Sequence, residues 1–286
     1  MTIFDNTQRL TRREALAAGL AAAGTIALGR FSAAAPVVTS PYGPFKMGIQ
    51  SYSLRGLTAG GKPDLDKALQ ATKDLGLAYW ESYTAHIPVD PKRAAEFKEK
   101  AASFGVSVIG YGVIGFTKNH EANRKVFEFA KSMGLGYLSA NPAPDSFDSL
   151  DKLVEEYDVA IGIHNHGPED KLYNTVDKIS AAIKDHHKKI GCCVDTGHFL
   201  RSKEDPVHAV ETFGERVYGV HLKDVKDAKT FTVLGKGDLR TVDLLKALAK
   251  LKYSYCLAIE YEESPENPVS EIAECLTAAR EAVTKI

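Results

Sequence analysis

Eight times after residue 45, a short run of β-branched and aromatic residues gives way to a longer run with helical spacing, and this alternation constrains the fold more than anything else in the chain. The short runs are FKMGIQSY, LAYWESY, VSVIGYGV, GYLSAN, VAIGIHNH, IGCCVDT, RVYGVHLKD and YCLAIEY. Between them lie patterns such as PDLDKALQATKDLG, PKRAAEFKEKAASFG and NRKVFEFAKSMGLG, with Pro or Asp near the start and Gly past the end, where helices begin and stop. The last helix carries Ile272, Leu276, Ala279 and Val283 at helical spacing. Eight strand-then-helix units predict an α/β fold, a single (β/α)8 TIM barrel. An open doubly wound sheet shares the alternation, but the first strand lacks a Gly-rich phosphate loop: GIQSYSLRGLTAGG follows it instead.

Strand residues alternate between the helix-facing outside and the lumen, and barrel sites form at the carboxyl ends of the strands. Apolar pairs two apart, Ile161 and Ile163, Cys192 and Val194, Val220 and Leu222, Leu257 and Ile259, suit the helix layer. Their neighbours then face inward: Gly162, His164 and His166 on the fifth strand, Cys193 and Asp195 on the sixth, Gly219, His221 and Lys223 on the seventh, Ala258, Glu260 and Glu262 on the eighth. Each strand turns polar at its carboxyl end on the inward phase. His164, Asp195, His221 and Glu260 are thereby expected at one mouth, a mixed nitrogen and oxygen set suited to one divalent ion of Mn, Co, Zn, Fe or Mg. Two buried carboxylates also need a cation to offset desolvation. Taken singly, Asp195 reads equally as a helix cap and Glu260 as half of an ion pair.

Other strand ends offer Gln50, Glu81, Tyr111 and Asn141 to the same mouth, and Glu81 and Asn141 are expected to line the substrate pocket. The long connection after the seventh strand, VKDAKTFTVLGKGDLRTVDLL, exceeds the few residues usual there. It reads either as a lid hinged at Gly235 and Gly237, with Lys236 reaching the substrate, or as a surface hairpin. His86, His120, His186, His187 and His208 read as surface residues.

The first 35 residues stand apart. TRREALAAGLAAAGTIALGR joins Arg12 and Arg13 to an Ala-rich run too short to span a bilayer, and FSAAAP follows with small residues suited to cleavage. Residues 1–35 are therefore expected to be a twin-arginine signal peptide directing export to the periplasm. The domain proper is expected over residues 36–286. A formal net charge of -1 and a single short basic run, KDHHKK at 184–189, which reads as the close of a helix, argue against a nucleic-acid partner. No second apolar stretch is long enough for a membrane anchor after cleavage. The four cysteines lack metal-ligand spacing and read as buried free thiols.

At IHNHGPE, VDTGHF, VHLKDV, LGKGD and IEYE the chain resembles the xylose-isomerase-like sugar isomerase/epimerase superfamily, and the resemblance covers essentially all of residues 36–286. It implies one divalent metal held from the ends of strands five to eight, commonly by Glu, Asp, His and Glu. Asp195, His221 and Glu260 match the last three ligands, and His198 matches a family histidine that holds substrate. The departure is at the first ligand, where His164 replaces the glutamate that serves the epimerases as one of two catalytic carboxylates. IHNHGPED and HLKD look closer to the inosose dehydratase side and to relatives that cleave 3-keto-glycosides by elimination.

The resemblance also implies a small sugar or keto-sugar substrate and often a homo-oligomer. The expected activity is a divalent-metal-dependent isomerase/epimerase that removes a proton beside a carbonyl. Glu260 or His166 would be the base, and Lys223 would hold the oxyanion or act as general acid. The alternatives are a metal-dependent lyase or dehydratase sharing the same first half-reaction, and a sugar-binding protein without catalysis.

Overall fold

The computed structural model describes residues 40–286, so the expected signal peptide lies outside the described residues. Eight parallel strands close into a barrel: β1 (Lys46–Gln50), β2 (Tyr79–Ser82), β3 (Ser107–Phe116), β4 (Tyr137–Pro142), β5 (Ala160–His164), β6 (Ile190–Asp195), β7 (Val217–Leu222) and β8 (Cys256–Ile259). Each pairs with its sequence neighbours, and β1 pairs with β8 to close the ring. The surrounding helices are α1 (Leu65–Asp74), α2 (Ala94–Ser103), α3 (His120–Met133), α4 (Phe147–Tyr157), α5 (Val176–Ile183), α6 (Thr196–Arg201), α7 (Pro206–Phe213), α8 (Thr241–Lys250) and α9 (Val269–Val283). This is the (β/α)8 barrel that the alternation predicts. Among the described residues no helix is long and apolar enough to cross a membrane.

The helices start where the sequence supplies an acceptor for orphan backbone N–H groups. Asp64 accepts from Lys67 N, Asn119 from Ala122 N and Thr175 from Lys178 N. Gly134 ends α3 in the left-handed region at φ 75°, which a Cβ would disfavour. Helix α5 stops at Ile183, so the KDHHKK run begins at its C-cap, Lys184.

The strand phase holds on the late strands. Ile161, Ile163, Cys192, Val194, Val220, Leu222, Leu257 and Ile259 join the core between sheet and helices. The lumen has its own small cluster of Tyr137, Ala160, Tyr218, Cys256 and Ala258, with Tyr79, Ile109 and Tyr255 packed against it. Gly219 is required there, because a Cβ would stand 2.7 Å from Cys193 Sγ and 2.9 Å from the Tyr137 ring. All four cysteines are buried free thiols.

The phase fails on β3. Its pairing with β4 shifts between Tyr111 and Ile114, an irregularity that breaks strict alternation. Tyr111 consequently packs edge to face on Phe129 in the outer core and donates to the Ile87 carbonyl at 2.7 Å, away from the mouth.

Candidate metal centre and substrate pocket

The carboxyl ends of β5 to β8 deliver His164, Asp195, His221 and Glu260 to one point, with one donor atom from each within 4.8 Å of all the others. All four are buried. His164 Nε2 faces Asp195 Oδ2 at 3.3 Å, and His221 Nδ1 lies 3.7 Å from the same oxygen and 3.1 Å from Glu260 Oε2. Local structure fixes the pieces. Asp195 is the N-cap of α6, where its Oδ1 accepts from His198 N at 2.8 Å while Oδ2 turns to the cluster. The cap and the ligand, alternatives on the sequence alone, are two oxygens of one carboxylate.

Six buried side-chain nitrogens and oxygens lack a hydrogen-bond partner among the described residues, and three of them are here: His164 Nδ1, His221 Nδ1 and Glu260 Oε2. Glu260 Oε2 is nonetheless ion-paired, with Lys223 Nζ at 2.8 Å and His221 Nδ1 at 3.1 Å. Unpartnered buried polar atoms are costly, and two imidazoles with two carboxylates form a donor set that a divalent cation satisfies. The residues present therefore fit such an ion, which His164, Asp195, His221 and Glu260 would hold.

Lys223 caps this cluster. Its Nζ is 3.0 Å from Asp195 Oδ2 and 2.8 Å from Glu260 Oε2, and it also contacts Glu262. Burial opposes its charge, but Asp195, Glu260 and Glu262 outweigh that and raise its pKa well above the ordinary lysine value. Burial likewise works against ionised Asp195 and Glu260, and Lys223 more than reverses it, joined by His198 at Asp195 and by His221 at Glu260, so both carboxyls titrate below their usual range. Lys223 is thus a fixed ammonium, a donor of hydrogen bonds and not a base. Burial pulls His198 down to about 3 and lowers His164 too, leaving both imidazoles neutral.

Above the cluster opens a cavity of about 410 Å³, lined by His164, His166, His198, Lys223 and Glu260 together with residues that the sequence pattern did not single out. Tyr52 and Tyr83 pack edge to face at 5.0 Å on one side. Phe231 stands on the other, 5.1 Å from Lys223 Nζ and 5.4 Å from the Arg201 guanidinium carbon. It comes from a hairpin, Asp224–Lys226 with Thr230–Thr232, inside the long connection after β7. The surface-hairpin reading is thus the one the structure carries, with one aromatic side chain over the mouth.

Three residues expected in the pocket are elsewhere. Lys236 is exposed and pairs with Glu274 at 2.6 Å in a larger, shallower groove of about 880 Å³ along the outside of α9. The reason is Asp224, whose buried carboxylate accepts from the backbone N–H groups of Val225, Gly235, Gly237 and Leu239 and turns that loop away from the mouth. Gly237 is needed for the approach, since a Cβ would meet Asp224 Oδ1 at 2.3 Å. The glycines are an anchor and not a hinge. Asn141 donates to Asp170 Oδ2 at 3.2 Å and lies 3.1 Å from His166 Nδ1, so it orients that histidine and is not part of the lining of the cavity above the cluster. Glu81 is fully buried beneath the cluster.

The described structure also contains supports that inward phase cannot reveal. Asn165, between the two inward histidines, clamps the backbone of Asp195 by accepting from its N–H at 2.8 Å and donating to its carbonyl at 2.9 Å. The Thr196 hydroxyl accepts from Lys223 N at 2.9 Å and donates to the Lys223 carbonyl at 2.6 Å, locking β6 to the end of β7. The only sequence signal was their adjacency to His164, His166 and Asp195. His86, read as a surface residue, is buried, with Nδ1 2.9 Å from the Ser51 hydroxyl.

Comparison with known proteins agrees with this architecture. An inosose dehydratase from Clostridium botulinum is 27% identical over 143 residues, 43% of this chain and 47% of that protein. The chain spans about half the length of the first curated relatives it matches. Among solved structures, a 3-keto-D-glucoside 4-epimerase from E. coli superposes with a TM-score of 0.64 at 15% identity, over 83% of this chain and 99% of the other. A D-allulose 3-epimerase from Methylomonas sp. gives 0.63 at 15% identity, over 83% and 98%. At such identities the structural likeness speaks for the fold alone. The sequence profile of the xylose isomerase-like TIM barrel matches residues 69–279, and the chain belongs to that family.

Proposed function

We propose that the protein is a divalent-metal-dependent isomerase or epimerase of sugars or keto-sugars that works by removing a proton from the carbon beside a carbonyl. The convergence of four buried donor atoms from β5 to β8 is the observation that supports it. A bound divalent cation supplies electrostatic stabilisation of negative charge on the substrate oxygens. The chain does the rest. Lys223, an ammonium held by three carboxylates, donates to the developing oxyanion. Glu260 or His166 takes the proton, neutral His198 hydrogen-bonds a hydroxyl, and Phe231 shields the site from water. Returning the proton to a neighbouring atom or to the opposite face completes isomerisation or epimerisation.

A second reading, elimination of a β-substituent by a lyase or dehydratase, is favoured by two observations. The curated relatives are described as inosose dehydratases, and His164 stands where the two-carboxylate epimerases use glutamate. Lys223 would then donate a hydrogen bond to the leaving oxygen and stabilise its charge. The Arg12–Arg13 pair and the Ala-rich run behind it support export to the periplasm by the twin-arginine route as part of the same proposal.

The test is to incubate Mn-loaded full-length protein with 3-keto-glycosides and ketohexoses in D2O. Deuterium entering one carbon without loss of a group supports the isomerase or epimerase. A new enone absorbance supports the lyase. Either signal should fall at least 100-fold in Glu260→Gln. Neither signal with any substrate, in protein that holds metal, rejects both readings in favour of a sugar-binding protein.

A further inference from the structure

The two ring nitrogens of His221 have different surroundings. Nδ1 faces Asp195 and Glu260 and hydrogen-bonds to nothing. Nε2 lies 2.9 Å from Glu81 Oε1, across the lumen. Glu81 is itself held from several directions, by Gln50 Nε2 from β1 at 2.8 Å and by the Ser139 and Tyr137 hydroxyls from β4. Glu81, His221, Tyr137 and Ser139 are all fully buried.

We propose that Glu81 is a positioning residue for the metal centre: its carboxylate bonds His221 Nε2 and so holds the ring with Nδ1 aimed at the point shared by His164, Asp195 and Glu260. The inference rests on the metal-site reading above. Four donors converge on two oxygens, which makes Glu81 a rigid support, and an imidazole bonded on one side to a fixed carboxylate is a stronger and better oriented ligand on the other. A rival reading exists, because Glu81, Cys193 and His221 also bring three ligand-type atoms within 4.8 Å of one another. That triangle is a hydrogen-bond node and not a second metal site. The Glu81 oxygens are already taken by hydroxyl, amide and imidazole donors.

The experiment is calorimetric titration of metal-free full-length protein with Zn(II) and Mn(II), comparing wild type with Glu81→Gln, beside thermal melts of both. A 10- to 100-fold loss of affinity in folded Glu81→Gln is expected. A carboxylate that only filled the barrel would lower the melting temperature and leave the affinity of the folded protein alone. Equal affinities within twofold therefore overturn the inference while leaving the metal site standing. No uptake by wild type removes the metal site and the inference together. Should Glu81→Gln not fold, nitrogen-15 imidazole spectra of zinc-loaded wild type decide. A protonated Nε2 with a metal-shifted Nδ1 on His221 supports the role, and an unprotonated Nε2 refutes it.

Discussion

The two ends of this barrel are built from the same strands and obey opposite rules. At the amino-terminal end of the lumen, Tyr137, Tyr218, Cys256 and Ala258 pack with Tyr79 and Tyr255, and the phenol groups find partners: Tyr218 donates to the Lys188 carbonyl, Tyr253 to the Cys256 carbonyl, Tyr137 to Glu81. At the carboxyl-terminal end, His164 and His221 each keep a buried ring nitrogen without a hydrogen bond and a lysine is pressed among three carboxylates. The lower end is arranged for stability. The upper end concentrates buried charge and polar atoms at one point, as expected where function overrides local packing rules.

Three measurements break or sharpen that contrast. The largest effect belongs to Asp195→Ala, which removes the carboxylate that His164, His221 and Lys223 all face. Zn(II) or Mn(II) affinity should fall by about 1,000-fold, roughly 4 kcal/mol, measured by titration of metal-free protein. Retention of near-wild-type affinity would mean that the upper cluster is only a polar pocket.

Next comes the converse, Tyr218→Ala at the lower end. Loss of the edge-to-face contact with Tyr255 and of the hydrogen bond to Lys188 should cost about 3 kcal/mol in urea unfolding. Metal affinity should stay within twofold, since Tyr218 reaches none of the four ligands. A parallel loss of affinity would show that the two ends are coupled and not separable.

The smallest effect is in acid. His86, above β2, is buried and neutral, and its pKa is pulled by burial from 6.5 to about 4, against the opposing pull of Asp64. The unfolded chain takes up a proton near pH 6.5 and the folded chain does not until about pH 4, so stability present at neutral pH is lost as pH falls through that interval. The loss from this group between pH 6.5 and 5.5 is roughly 1 kcal/mol. Urea midpoints at the two values should converge by that amount in His86→Gln. An unchanged acid response in the variant would place the acid sensitivity elsewhere.

Much of this was legible along the chain. Alternation of period two set which residues of β5 to β8 face the lumen, so His164, Asp195, His221 and Glu260 followed from the apolar pairs beside them. The barrel followed from the strand-then-helix repeat. What the pattern could not give was height in the lumen and the course of irregular segments. Glu81 shares its phase with the site residues but lies beneath them, and the irregular register on β3 sends Tyr111 outward. Lys236 sits in a motif with two glycines that looked like a hinge, yet the carboxylate of Asp224, eleven residues before Gly235, folds that loop outward.

The sequence by itself determined the fold and, on β5 to β8, the side chains that point into the barrel, because both depend on local periods that neighbouring residues carry. The tertiary structure decided which of those side chains converge at the mouth and which lie beneath and hold them. That choice depends on strand stagger around a closed ring, which brings Glu81 to His221 across 140 residues of chain and leaves no trace in the spacing of either.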